Sequence, residues 1–399
     1  MSGRSGVTSP RGFLAAATAA GLKPKGRTDL ALVASECPCT AAAVFTRNLF
    51  AAAPVVISRR HLRAARHRAV VINAGGANAC TGPEGEADAE AVCRHAASAL
   101  GCRPREILAA STGVIGVRLP VPRLADALPR AVLALSPAGG DDAARAILTT
   151  DTVAKTAQVE FAHRGRRFRV GGMAKGAGMI HPNLATMLTV ITTDAPVANT
   201  DLQVLVRAAC AGTFNAVSVD GQTSTNDSVF LLANGAAGGT RLARRTDLAA
   251  LLDALVAVAD DLAGRIVADG EGAGKTLSIR VTGARNDAEA ETAARAVGDS
   301  LLVKTALHGG DANWGRILSA VGAARVQANG ARLRVDVNHV PLVRRGVDAG
   351  TSVRRANRAL AARHADLRVD LGTGGSGTYR YRTCDLTAEY VRINAAYRS

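Results

Sequence analysis

Hydrophobic and polar positions along the chain alternate between short apolar runs and longer stretches of helical period. DLALVAS (29–35), AVVINA (69–74), REILAAS (105–111), FRVGGMAK (168–175), MLTVITTD (187–194) and SVFLLANG (228–235) are short and bounded by turn residues, and they predict strands. AAAVFTRNLFAAAPVVIS (41–58) predicts two further short strands around a turn, and residues 1–27 read as a leader with a glycine-rich turn. Helical spacing marks 86–101, which ends at Gly101, then 121–135, 141–148 and 201–214. The longest amphipathic helix is 247–270, where Leu248, Leu251, Leu252, Leu255, Val258, Ala259, Leu262 and Ile266 share one face.

Beyond residue 275 helices (287–300, 313–322, 353–364) alternate with strands (277–283, 333–337, 367–372, 377–383). The pattern predicts a mixed α/β chain with no long linker and a soft boundary near 275–300. At 399 residues it can form two or three lobes.

Composition changes little in that picture. No run of 18 apolar residues is present, so no transmembrane helix is expected, and the FLAAATAA run is too short for a secretory signal. Seven cysteines, odd in number and irregularly spaced, are expected to be reduced thiols of a cytoplasmic protein, with no metal site. A net charge of +16 could attract nucleic acid, but the basic residues are scattered and no recognition motif accompanies them. No nucleic-acid or membrane partner is expected, and the charge suits anionic small substrates.

Candidate chemistry centres on KGAGMIHPNLATMLTVITTDA, 175–195. Thr186 follows a small residue and stands between a loop and a strand. A threonine freed there by chain cleavage would carry a hydroxyl and an amine on adjacent carbons, so one residue supplies nucleophile and base. An unperturbed α-amine titrates at about 7.7–8.0, suited to general-base work at neutral pH. Lys175 lies eleven residues earlier; on spacing alone it reads as a solvated surface lysine. STGVIG (111–116) reads as a tight turn able to aim a hydroxyl and a backbone N–H at one point, and TTDT (149–152) as a helix cap. SVDGQTSTNDS (218–228) predicts a structured loop. DGEGAGKT (269–276) fails as a phosphate loop, because Asp269 stands where glycine is needed. Trp314 is expected in the core, and His308 is expected to be solvated or satisfied.

The chain resembles the ornithine acetyltransferase family, the bifunctional glutamate N-acetyltransferases and amino-acid acetyltransferases, over nearly its whole length. The resemblance implies an α/β, mixed-sheet layered sandwich of the self-cleaving ornithine acetyltransferase and aminopeptidase type, with a smaller C-terminal α/β lobe at about 285–399. It implies cleavage between Ala185 and Thr186 into an α chain (1–185) and a β chain (186–399), joined in a heterotetramer of two of each. Thr186 becomes the nucleophile, and Thr112 and Gly113 the oxyanion hole. Substrate contacts fall on Thr152, Lys175, Thr186, Glu271, Asn394 and Ser399.

The implied activity is acetyl transfer from N-acetyl-L-ornithine to L-glutamate through an acetyl-threonine, in arginine biosynthesis. No metal or organic cofactor is implied, and acetyl-CoA is left open as a co-substrate. Two alternatives stay open, the first of them on departures from the family pattern at Gly76, His181, Gly274 and Gly310. One is a related N-acetyltransferase of a specialised-metabolite pathway. The other is a self-cleaving aminopeptidase or amidase.

Overall fold

The structure is a computed structural model that describes residues 3–181 and 187–396. The described residues divide into two units: 3–215 with 222–266 form the first, and 216–221 with 267–396 the second.

In the first unit the chain runs β1 (Phe13–Thr18), β2 (Leu30–Phe45), α1 (Ala53–His61), β3 (His67–Gly76), α2 (Gly82–Leu100) and β4 (Ile107–Val114). It continues through α3 (Val121–Leu133), α4 (Gly140–Ala146), β5 (Lys155–His163), β6 (Arg166–Lys175), β7 (Leu188–Thr193), α5 (Asn199–Ala211), β8 (Ser228–Ala233) and α6 (Arg245–Ala268). These strands make one mixed sheet in the order β4-β3-β2-β8-β7-β6-β5, with β1 paired to β2. The β3–β4 and β7–β8 pairs are parallel.

The unbroken apolar runs serve two cores, one on each face of the sheet. Ala31, Val33, Val70, Ile72, Leu108 and Ala110 face one core, together with Ala143 and Ala144 of α4. Their neighbours Leu32, Ala69, Val71, Ile107 and Ala109 face the other, against Val92 and Ala96 of α2 and Leu124 and Leu128 of α3. Successive strand residues point to opposite faces, so a doubly covered sheet spends apolar residues on both.

Several sequence expectations are corrected here. The supposed leader contains β1, which pairs antiparallel with β2 from Phe13↔Ser35 to Thr18↔Leu30. Its alanines carry weak strand propensity and left no signal. The two strands expected in 41–58 are one strand end and one helix. DLALVAS and AAAVF belong to a single 16-residue β2 whose register shifts between Ala34 and Cys39. APVVISRRH is α1, with proline in the first turn, where its missing N–H is not needed. Strand β5 was missed; it forms a hairpin with β6 through Arg164-Gly165, both at positive φ, as a two-residue hairpin turn requires.

Close approach to β6 depends on Gly171 and Gly172. A Cβ on Gly171 would lie 1.9 Å from the Gly6 carbonyl oxygen, and one on Gly172 3.0 Å from Leu262 and Val258 of α6.

The second unit contains β9 (Thr276–Ala284), α7 (Asp287–Gly298), α8 (Leu301–Gly309), α9 (Trp314–Ala323), β10 (Arg334–Val337) and β11 (Val340–Arg344). It is completed by β12 (Val347–Asp348), α10 (Val353–Ala359), β13 (His364–Asp370), β14 (Gly377–Cys384) and α11 (Ala388–Ala396). The strands form a mixed sheet, β12-β11-β10-β13-β9-β14, whose core joins Ile279 and Val281 to Ala290, Ala294 and Val297 of α7. Trp314 packs against this core, as expected. Side-chain caps start three helices: Asn286, Ser300 and Asn313 accept the amides of Glu289, Val303 and Arg316.

Candidate functional site

The parallel pairing of β3 with β4 brings two glycine-bearing strand ends together. Gly75 pairs with Gly113, both at φ near +130°. A Cβ on Gly113 would sit 2.5 Å from the Gly75 carbonyl carbon, so only glycine allows the two backbones to meet. Thr112 precedes this contact and is 5% exposed.

Strand β6 ends at Lys175 beside Thr112. The Lys175 Nζ donates to Thr149 Oγ1 at 2.7 Å and to Thr112 Oγ1 at 3.4 Å, and lies 3.5 Å from Asp151 Oδ2. Lys175 is buried, not the solvated surface lysine that spacing suggested.

Asp151 is the hub of this cluster. Its side chain is fully buried, and Oδ1 accepts from Lys155 Nζ at 2.9 Å and from the Gly176 amide at 2.6 Å. The TTDT segment is therefore no helix cap; it follows α4 and its aspartate serves Lys155 and Lys175. Burial opposes the charge on Asp151, but Lys175 and Lys155 outweigh it and hold its carboxyl well below the usual carboxylate range. Thr152, next in the chain, is exposed.

The STNDS loop ties these elements together. Asn226 Nδ2 donates to the carbonyls of Ala77 at 2.6 Å and Ser111 at 2.8 Å, holding the end of β4. Asp227 Oδ1 accepts the Met187 amide at 3.0 Å, and the Ser228 amide donates to the Met187 carbonyl at 3.1 Å. This fixes the first described residue after position 186. Burial pushes the Asp227 carboxyl well above its ordinary value, and the Met187 amide and distant Lys175 offset that only in part. Thr186, Ala185 and Ser399 lie outside the described residues.

In the second unit Asn394 Nδ2 of α11 donates to Glu271 Oε2 at 2.8 Å, so two predicted substrate contacts meet there. Gly274 and Lys275 both donate their amides to Asp385 Oδ1, at 2.8 and 2.9 Å, which pins the loop after Glu271. His308 is satisfied by Asp385 Oδ2 at 3.1 Å.

Within the first unit, then, the structure brings together Thr112, Gly113 and Lys175, and in the second Glu271 and Asn394. Sequence reasoning misassigned Asp151 to a cap and missed Lys155 and the role of Asp227. The scarcity of lysine was the available signal for the first two: in a chain with six lysines, two converge on one aspartate.

Comparison with known proteins agrees over the full length. The ArgJ family model matches residues 14–399. An arginine biosynthesis bifunctional protein ArgJ from Symbiobacterium thermophilum is 46% identical over 397 residues, covering 99% of this chain and 98% of its own. The protein of that name from Nitratidesulfovibrio vulgaris is 48% identical over 396 residues, covering 98% and 99%. A solved ornithine acetyltransferase from Mycobacterium tuberculosis, complexed with ornithine, is 46% identical over 46% of this chain and 97% of that one, with a TM-score of 0.42. The chain belongs to the ArgJ family.

Proposed function

We propose that the chain is a self-processing acetyltransferase that moves an acetyl group from N-acetyl-L-ornithine to L-glutamate. The observation that carries this reading is the buried corner of Thr112, Gly113 and Lys175 in a chain that matches ArgJ relatives from end to end. In it, Thr186 Oγ attacks the Ala185 carbonyl carbon, the C–N bond breaks, and water hydrolyses the resulting ester. Chains 1–185 and 186–399 result, and they assemble as a heterotetramer.

The freed α-amine takes the Thr186 hydroxyl proton as Oγ attacks the acetyl carbonyl of N-acetylornithine. Negative charge builds on the carbonyl oxygen, where the Thr112 hydroxyl and Gly113 N–H donate; losing one such donor costs about 2.7–4 kcal/mol of barrier. The amine passes its proton to the departing ornithine nitrogen, leaving acetyl-Thr186. Glutamate's amine then attacks the ester, and Oγ recovers a proton. Thr152, Lys175, Glu271, Asn394 and Ser399 contact substrate in this reading. A carboxylate such as Glu271 suits the free amino group of either substrate.

In this reading no metal or organic cofactor is needed, acetyl-CoA is left open as a co-substrate, and the enzyme works in the cytoplasm within arginine biosynthesis. Among the described residues no helix is long and apolar enough to cross a membrane. The test is acetyl exchange between N-acetylornithine and glutamate, with and without acetyl-CoA. Exchange that disappears in Thr186→Ala supports the reading; failure to use N-acetylornithine sinks it.

A further inference from the structure

The Asp151 cluster has an odd composition for a structural ion pair. Lys155 opens β5 and Lys175 closes β6, so the hairpin places both ammoniums at one end of the sheet, around a single fully buried carboxylate. Burying charges is expensive, and a buried pair is worth little to stability against apolar replacements. Asp151 here is one carboxylate facing two ammoniums. The choice of lysine is also informative. Most basic residues here are arginines, yet a compact ammonium with three rotatable donors is what can touch Thr149, Thr112 and Asp151 together.

The bond directions define the chemistry. Lys175 can only donate, so the Thr112 oxygen accepts from it and the Thr112 proton must point elsewhere. A hydroxyl that accepts from a cation is a stronger donor in its turn.

We propose that Asp151 is a positioning residue of the acyl-transfer site, acting through Lys175 to turn the Thr112 hydroxyl into an outward donor for the oxyanion. Lys155 offsets the Asp151 charge, so the Lys175 charge still acts on the anion that forms at Thr112. The inference rests on the acetyl-transfer reading above and extends it to two residues behind Thr112.

The test uses full-length protein, with Thr186 cleavage checked by mass and folding by circular dichroism. Asp151→Asn should lower kcat by roughly tenfold or more while KM changes less than about threefold, since the lost interaction belongs to the transition state. Binding of an N-acetylornithine analogue with a methylphosphonamidate in place of the acetamide should weaken in step with kcat/KM. The double variant Asp151→Asn, Lys155→Gln restores the net charge without the clamp and avoids an uncompensated Lys155, so it decides if the single variant fails to fold; kcat should stay low. Wild-type kcat in either folded, cleaved variant overturns the proposal. If Thr186→Ala is inactive while these variants are fully active, only this inference fails. An active Thr186→Ala removes the reading beneath it.

Discussion

Two buried aspartates of the first unit, Asp151 and Asp227, meet opposite fates. Both side chains are sealed from solvent, Asp151 in the loop before β5 and Asp227 just before β8. Asp151 has two ammoniums and the Gly176 amide, and stays ionised. Asp227 has the Met187 amide, and burial pushes its carboxyl well above the ordinary carboxylate range. Burial alone does not set a carboxyl's state; the partners brought by neighbouring strands do. The hairpin of β5 and β6 supplies the cations in one case, whereas the segment entering β7 supplies the Met187 backbone amide in the other.

The largest effect should come from breaking the ionised one. Asp151→Asn removes the carboxylate that Lys155 and Lys175 share, and chemical denaturation should report a loss of about 3–5 kcal/mol. A loss below about 1 kcal/mol would mean the cluster is solvated.

Next in size is the acid response. The Asp151 pKa is depressed in the folded state, so the unfolded chain takes up its proton first. Its stabilisation is fully present above about pH 4, the unfolded carboxyl range, and is lost as pH falls toward the folded value. The double variant Asp151→Asn, Lys155→Gln should therefore lose less stability between pH 5 and pH 3 than the wild type. Asp227 works in the other direction: its folded pKa is raised, so its contribution weakens as pH rises above about 4. Asp227→Asn should remove that weakening, so the variant gains stability relative to the wild type as pH rises above about 4.

Smaller still is the effect of Thr149→Val, which removes one of the Lys175 hydrogen bonds; about 1.5–3 kcal/mol is expected in stability, the range for bonds to charged groups. Smallest should be Asp227→Asn at neutral pH. The amide keeps an acceptor for Met187 and removes a carboxyl that burial disfavours in its charged form, so no loss beyond about 1 kcal/mol is expected. A loss of several kcal/mol would show that Asp227 is ionised after all and would erase the contrast.

The same contrast explains what could be read in advance. The apolar strands and the α6 face were legible because burial and period are local properties of sequence. The first strand was not, since FLAAAT has the composition of many structures and becomes a strand only by pairing with β2. PVVIS looked like a strand from its β-branched residues, but Pro54 in the first turn and the packing of Ile57 made it a helix. In the site, Thr112, Gly113 and Lys175 were nameable from the family resemblance. Asp151 was visible but misassigned as part of a cap, because its partners come from residues four and twenty-four positions away on two different strands. Asp227 was passed over as loop scaffolding, since nothing local reveals that its carboxyl holds the amide of Met187, forty residues earlier.

The central claim is that Thr186 becomes an N-terminal nucleophile. The most direct test is the intact mass of purified, active protein. The account predicts two polypeptides, one of which begins at Thr186, and a single uncut, inactive chain for Thr186→Ala. A full-length polypeptide that carries out acetyl exchange at the wild-type rate, unbroken between Ala185 and Thr186, would contradict it.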